Sequence, residues 1–299
     1  MNDISIRQAR RKDFDDISML IARQNLNPRT HCIQSDTGKD HQAVLREMNQ
    51  LDMDSALCCA AAFREDNLIG VLGCELDEPL GRGWVRGPFI TEDTDEWNFI
   101  ALALLRALLD ILPPAIHWLD SFLNIANERG NSFYHNNGFR TLRLVHVYAA
   151  APPLRAVPFT DPGDLCEPLT SSREQDFMTL HRTIFPQTYA TGRKILDAQD
   201  DDHKVFVCFE GEELLGYLYA AIEEGGEEGV VEFVGVKPEA RGRAIGQRLL
   251  RTALRWFFEV RLVSRATLVV NDDLTNARSL YERAGFILQH TGVHSRREW

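Results

Sequence analysis

The stretch Val230 to Leu250, VVEFVGVKPEARGRAIGQRLL, decides how the rest of the chain is read. Its opening, Val230 to Val236, is mostly β-branched and aromatic. It predicts a largely buried strand, with Gly235 marking a bulge or a close backbone approach. After Lys237-Pro238, the run Arg241-Gly242-Arg243-Ala244-Ile245-Gly246 opens a helix. Its apolar positions Ile245, Leu249, Leu250, Ala253, Leu254, Phe257 and Phe258 recur on one face. A strand that delivers an arginine- and glycine-rich turn to a helix N-terminus is a cradle for phosphate. The first helical N–H groups have no internal partner, the helix dipole favours an anion, and small residues admit phosphate oxygens. The spacing fits neither a Gly-Lys-Ser/Thr phosphate loop nor the three-glycine dinucleotide turn.

Further on, Ala266 to Val270 reads as a strand ending at Asn271. Asn276 to Phe286 then reads as a short helix closed by Gly285. Taken together, these segments resemble the two signatures of the GNAT superfamily of N-acetyltransferases. One is the Arg/Gln-x-x-Gly-x-Gly/Ala loop, matched here by Arg241 and Gly246. The other is the later Asn…Asn-Ala…Leu-Tyr-Glu…Gly-Phe pattern. Ala244 stands where the family usually has a glycine, a change that a negative φ would tolerate. The resemblance covers roughly residues 165–299.

The resemblance implies acetyl-CoA (coenzyme A) as cofactor, its diphosphate on Arg241, Gly242, Arg243, Ala244, Ile245 and Gly246. It implies pantetheine between the two strands, with backbone N–H groups near Val234, Gly235 and Val236 at the thioester. Asn271, Asn276 and Arg278 would lie within reach of the cofactor. Tyr281 occupies the family's position for the acid that protonates the leaving thiolate; the alternative is a tyrosine packed beside the cofactor. Glu232 is the candidate base. In a strand it shares a face with Val230, Val234 and Val236, where a charge is at home only if that face opens on a cleft. A partly exposed strand carboxylate or a substrate-binding anion reads equally well. In this fold the acceptor lies by the first two helices, which points to His181, Phe185 and Tyr189. As a lone helix histidine, His181 also reads as a surface or satisfied residue.

Composition bounds the rest. A chain of 299 residues predicts two domains. Net charge is −11 and both halves are acidic, which argues against nucleic-acid binding and favours a cationic substrate such as an amine. The six cysteines show no metal-ligand or Cys-x-x-Cys spacing and read as reduced, buried thiols, with no metal expected. The N-terminal residues lack a signal-peptide core, and no apolar run approaches the roughly 20 residues of a membrane span. A soluble cytoplasmic protein without membrane partners is expected, its oligomeric state unspecified.

The first half repeats the second. Asn124 through Phe139 aligns without gaps on Asn271 through Phe286, placing Asn124, Tyr134, Gly138 and Phe139 on Asn271, Tyr281, Gly285 and Phe286. Where the second copy has Arg241 to Gly246, the first has Thr91-Glu92-Asp93-Thr94-Asp95-Glu96, whose carboxylates repel a diphosphate. The expected fold is therefore mixed α/β: two tandem GNAT-like domains, each a mostly antiparallel sheet flanked by helices. The boundaries read as 1–150 for a degenerate copy, 151–164 for a Pro-rich linker and 165–299 for a catalytic copy. The expected function is transfer of acetyl to a primary amine of a small molecule or peptide by direct attack in a ternary complex. A mycothiol-synthase-like acetyltransferase and a non-catalytic acyl-CoA-binding or regulatory module are the alternatives.

Overall fold

The computed structural model describes residues 4–35, 40–91, 96–152, 166–186, 188–223 and 226–299. The expected acidic segment at 92–95 and most of the expected linker lie outside these residues. The chain forms two compact units, one of Met1–Val145 with His290–Trp299 and the other of His146–Gln289. The contiguous division expected from the sequence therefore differs at the end of the chain. A strand goes to the unit that satisfies its backbone hydrogen bonds, and for the last ten residues that partner lies far back in the sequence.

In order, the first unit contains β1 (Ile4–Gln8), α1 (Phe14–Asn25), α2 (His41–Met53), β2 (Leu57–Arg64), β3 (Asn67–Asp77), β4 (Arg82–Ile90), α3 (Trp97–Ile111), β5 (Trp118–Asn124) and α4 (Glu128–Asn136). β6 (Arg140–Ala150) crosses into the second unit. β1 to β4 form an antiparallel meander, and β4 pairs β5 in parallel. The C-terminal part of β12 (Ile287–Glu298) runs antiparallel to β5, from Gly292 opposite Asn124 to Glu298 opposite Trp118. One buried core, with Ile17, Leu72, Phe89, Leu104 and Phe139 at its centre, joins the helices to this sheet. Asp13 does precede α1, but its carboxylate binds Arg7 and the Arg10 N–H instead of capping the helix.

The second unit continues with β7 (Glu167–Pro168), α5 (Glu174–Ile184), α6 (Gly192–Asp197), β8 (His203–Glu210), β9 (Glu213–Ile222), β10 (Glu228–Val236), α7 (Ile245–Arg255), β11 (Arg265–Asn271) and α8 (Thr275–Arg283). Its strands lie in the order β6-β11-β10-β9-β8-β7, antiparallel through β7 to β10 and parallel between β10 and β11. Alternating residues feed two cores. α7 covers one face through Leu249, Leu250 and Ala253. α5 covers the other through Phe177 and Leu180. Each fully buried leucine contributes about 2 kcal/mol from removing apolar surface from water. The amphipathic stripe read after Ile245 does not run on as a regular helix. From Trp256 to Val260 the turns widen to π geometry, burying Phe257 over Gly229 and leaving Phe258 half-buried. Both units are mixed α/β with mostly antiparallel sheets flanked by helices, as expected.

Candidate functional site

β10 and β11 pair in parallel only from Glu228–Arg265 to Val231–Leu268. At Glu232 the register of β10 against β9 shifts by one residue, and from there β10 and β11 part. The bulge thus sits at Glu232 and not at Gly235. Gly235 meets the other expectation: a Cβ there would lie 2.6 Å from the Tyr217 ring and 3.0 Å from Ile184. Beyond the bulge, Phe233 to Val236 pair β9 on one side, and among the described residues no strand bridges the opening on the other.

α7 begins where β10 delivers the chain. Its N-cap is Ala244, which has no side-chain acceptor, so the first helical N–H groups carry no cap. Ala244 has φ +60°, contrary to the negative φ expected. The left-handed conformation costs an L-residue about 1–2 kcal/mol, so this is a position where glycine would sit without strain. Gly242, at φ +80°, has open space around it. Gly246 does not: a Cβ would lie 2.8 Å from Leu280, so its smallness makes room for α8. Arg241 is exposed and has no ion-pair partner among the described residues, whereas Arg243 is tied to Glu210.

The expected catalytic and acceptor residues separate into three situations. Tyr281 is half-buried between Tyr148 and Phe286, ring centroids 6.3 and 6.4 Å away, and its hydroxyl has no hydrogen-bond partner among the described residues. Burial pushes its pKa up to about 12, so the phenol keeps its proton at neutral pH. Glu232 is exposed on the bulge and accepts a hydrogen bond from the Tyr189 hydroxyl. Tyr189 stacks on Phe233 at 5.2 Å, and Phe185 meets the same ring edge-on at 5.1 Å. Glu232, Tyr189, Phe185 and Phe233 are thus brought into one cluster.

His181 packs beneath them, its ring 5.1 Å from that of Phe233 and 5.6 Å from that of Phe185. It is 1% exposed, its Nε2 donates to the Ala190 carbonyl at 2.9 Å, and its Nδ1 accepts from the Tyr217 hydroxyl at 2.5 Å. Desolvation lowers its pKa, so the ring is neutral with both nitrogens engaged, a buried support for Phe185 and Phe233. Arg278, half-exposed on α8, reaches Asp272 at 3.2 Å and the Tyr148 hydroxyl at 3.4 Å. Asn271 closes β11. The expectation for Asn276 falls on a side chain outside the described set.

The first unit has the same opening. β4 and β5 pair only from Arg82–Trp118 to Val85–Ser121. Here the chain itself fills the gap. Cys32 forms an antiparallel bridge with Leu123, the Asn124 N–H donates to the His31 carbonyl at 3.2 Å, and the Gly87 N–H reaches Cys32 Sγ at 3.4 Å. Tyr134, the repeat partner of Tyr281, is 1% exposed and donates its hydroxyl to the Gly87 carbonyl at 2.7 Å. Nothing in the sequence marked this plug, because His31 to Ser35 has neither helical nor strand periodicity.

The second unit thus combines a mixed sheet, a parallel pair that opens at Glu232 and an uncapped helix start. Residues 174–286 match the sequence model of the acetyltransferase (GNAT) family. The second half of the chain therefore carries a GNAT acetyltransferase domain. Over 93 residues the chain is 36% identical to a mycothiol acetyltransferase of Streptomyces scabiei; the match spans 31% of this chain and 30% of that protein. Two solved structures share the fold. A GCN5-related N-acetyltransferase from Sphaerobacter thermophilus superposes with a TM-score of 0.71 at 19% identity, over 99% of this chain and 95% of that one. A tandem GNAT protein from the clavulanic acid biosynthesis pathway superposes with a TM-score of 0.61 at 12% identity, over 99% and 98%. Among the described residues no helix is long and apolar enough to cross a membrane.

Proposed function

We propose that the chain is an acetyl-CoA-dependent N-acetyltransferase whose second unit performs the reaction and whose first unit binds no cofactor. One observation carries this reading: the uncapped start of α7 lies directly after a parallel strand pair that opens at Glu232. The residues present fit the cofactor. Free N–H groups and the exposed Arg241 suit a diphosphate, the open backbone at Gly242 admits it, and the gap between β10 and β11 suits pantetheine.

When bound, acetyl-CoA supplies an activated acyl group on sulfur. Glu232 takes a proton from the acceptor's ammonium, leaving the amine lone pair free to form the new C–N bond. The Tyr281 hydroxyl gives its proton to the sulfur as the C–S bond breaks, the second proton lost by the attacking nitrogen restores the phenol, and such positioned proton transfers contribute roughly 10²- to 10⁴-fold each. Backbone N–H groups of Val234 to Val236 polarise the thioester carbonyl. Tyr189 and Phe185, packed on Phe233, form the acceptor side, and the acceptor amine replaces the Tyr189 hydroxyl at Glu232. The likeness to a mycothiol acetyltransferase favours a second, narrower reading, in which the amine belongs to a cysteine attached to a sugar.

The test is a thiol-release screen with acetyl-CoA over small amines, peptides and cysteinyl amino sugars. Turnover with at least one primary amine, lost in Tyr281→Phe, is the expected result. Tight binding of acetyl-CoA with no transfer to any of them would make the domain a binding module instead.

A further inference from the structure

Behind Tyr281, five side chains of the second unit form a continuous line of polar contacts. Asp272, in the turn between β11 and α8, meets His146 Nε2 on β6 at 2.7 Å and Arg278 Nη1 on α8 at 3.2 Å. Arg278 Nε reaches the Tyr148 hydroxyl at 3.4 Å, and that hydroxyl donates to Glu282 Oε1 at 3.0 Å. His146 and Tyr148 are buried on β6, at 5% and 0% exposure. Arg278 and Glu282 lie one turn apart on α8, so both are held to β6. Tyr281 sits immediately before Glu282, its ring packed against that of Tyr148.

The repeat supplies an internal control. In the gap-free register, Asp272 corresponds to Ile125, Arg278 to Asn131 and Glu282 to His135. The first unit builds the same strand, helix and glycine stop without the network. It uses a local device: the Asn127 side chain caps α4 by accepting from the Gly130 N–H at 3.0 Å. The matching position in the second unit is Leu274, which caps nothing. A cap is thus enough to hold this helix in this fold. The second unit has exchanged it for contacts that tie the helix to a strand on either side of the tyrosine.

That exchange matters because, among the described residues, no hydrogen bond orients the Tyr281 hydroxyl. A misplacement of about 1 Å at a reacting group costs up to roughly 10²-fold in rate. We infer that Asp272, Arg278, Tyr148 and Glu282, anchored by His146, are positioning residues that aim the Tyr281 hydroxyl at the leaving sulfur. The inference rests on the reading of Tyr281 as the proton donor.

The free protein, labelled with [13Cζ]tyrosine, tests it directly. The chain has six tyrosines, and Tyr281→Phe identifies the resonance of interest. In Tyr148→Phe and Asp272→Asn, the Tyr281 resonance is expected to broaden or split, while calorimetry shows CoA affinity changed by less than about twofold. With acetyl-CoA and the best amine of the screen, kcat should fall about tenfold with KM nearly unchanged, the signature of an interaction used only in the transition state. Adding Tyr148→Phe to Tyr281→Phe should produce no further loss, and Glu282→Gln should retain the activity that Glu282→Ala loses. An unmoved Tyr281 resonance, a change in KM alone, or additive losses in the double variant would each overturn the positioning role while leaving the acid in place. Full turnover by Tyr281→Phe would remove the acid and this role together. If Tyr148→Phe fails to fold, the Glu282 pair, which leaves the buried ring untouched, decides between the same outcomes.

Discussion

The two strand pairs β4–β5 and β10–β11 start alike and end differently. Each is parallel for four residues and then opens. In the first, the open backbone is taken up by the chain's own His31–Cys32 segment and by Tyr134; in the second, the described residues leave it unclaimed and leave Tyr281 with a free hydroxyl. The strands themselves are thus not what separates the copies. A loop after the first helix and the degree of burial of one tyrosine separate them. The opposite charges at one strand position point the same way. Counted back from the pairs Gly70–Ile90 and Gly216–Val236, Arg86 falls on Glu232. Arg86 is 4% exposed and bound to Glu47, whereas Glu232 is exposed on its bulge.

The strongest way to break this contrast is to remove both hydroxyls in turn. Tyr281→Phe should lower kcat by about 100-fold or more. Tyr134→Phe should leave turnover within about twofold while costing about 1–2 kcal/mol of stability, because the buried Gly87 carbonyl loses its donor. The reverse outcome would exchange the roles of the units. Next, calorimetry should find one CoA per chain. Arg241→Glu combined with Arg243→Glu should weaken it at least about tenfold, given the strength of charge-assisted hydrogen bonds. Arg241→Ala alone should weaken binding more than Arg243→Ala, since Arg243 already shares its charge with Glu210. A second site in the first unit would mean that the plug yields.

Smaller effects sharpen the comparison. Cys32→Ala leaves the Gly87 N–H without its acceptor and should cost about 2 kcal/mol in denaturant unfolding, without creating a CoA site. Ala244→Gly should stabilise the second unit by about 1 kcal/mol by relieving the left-handed backbone, and should preserve or tighten CoA binding. The smallest effect is a titration. Burial raises Tyr281 from 10.0 to about 12, so its contribution to stability is fully present below pH 10 and lost as pH rises through 12. NMR at high pH should show Tyr281 ionising as the pH passes about 12; desolvation raises the wholly buried Tyr134 as well.

Much of this was legible in the sequence, for reasons that also explain the gaps. Val230 to Leu250 reads correctly as strand, turn and helix because its pattern switches period from two to 3.6 within one short stretch. The repeat from Asn124 to Phe139 placed Tyr134 and Tyr281 on matching helices. His181 takes the satisfied form that its second reading allowed, but a lone polar residue on a helix gives no sign of Tyr217, which meets it from a strand 36 residues later. The contact of Arg278 with Tyr148 was hidden for the same reason: the two are 130 residues apart. The φ of Ala244 depends on how the turn meets the helix, which residue identity alone would have assigned to glycine. The plug is invisible to pattern because backbone atoms and one thiol make the contacts that fill the opening, with Asn124 and Asn127 side chains reaching it from far along the chain.

The return of His290–Trp299 to the first unit has a consequence for synthesis. The segment that completes the earlier unit leaves the ribosome after every residue of the later one. The nascent N-terminal sheet therefore waits with β5 unpaired along the edge that Gly292 to Glu298 will cover. Folding order and translation order are opposed here. Adding residues 290–299 as a separate peptide to a chain ending at Gln289 would measure how long that edge can stay open.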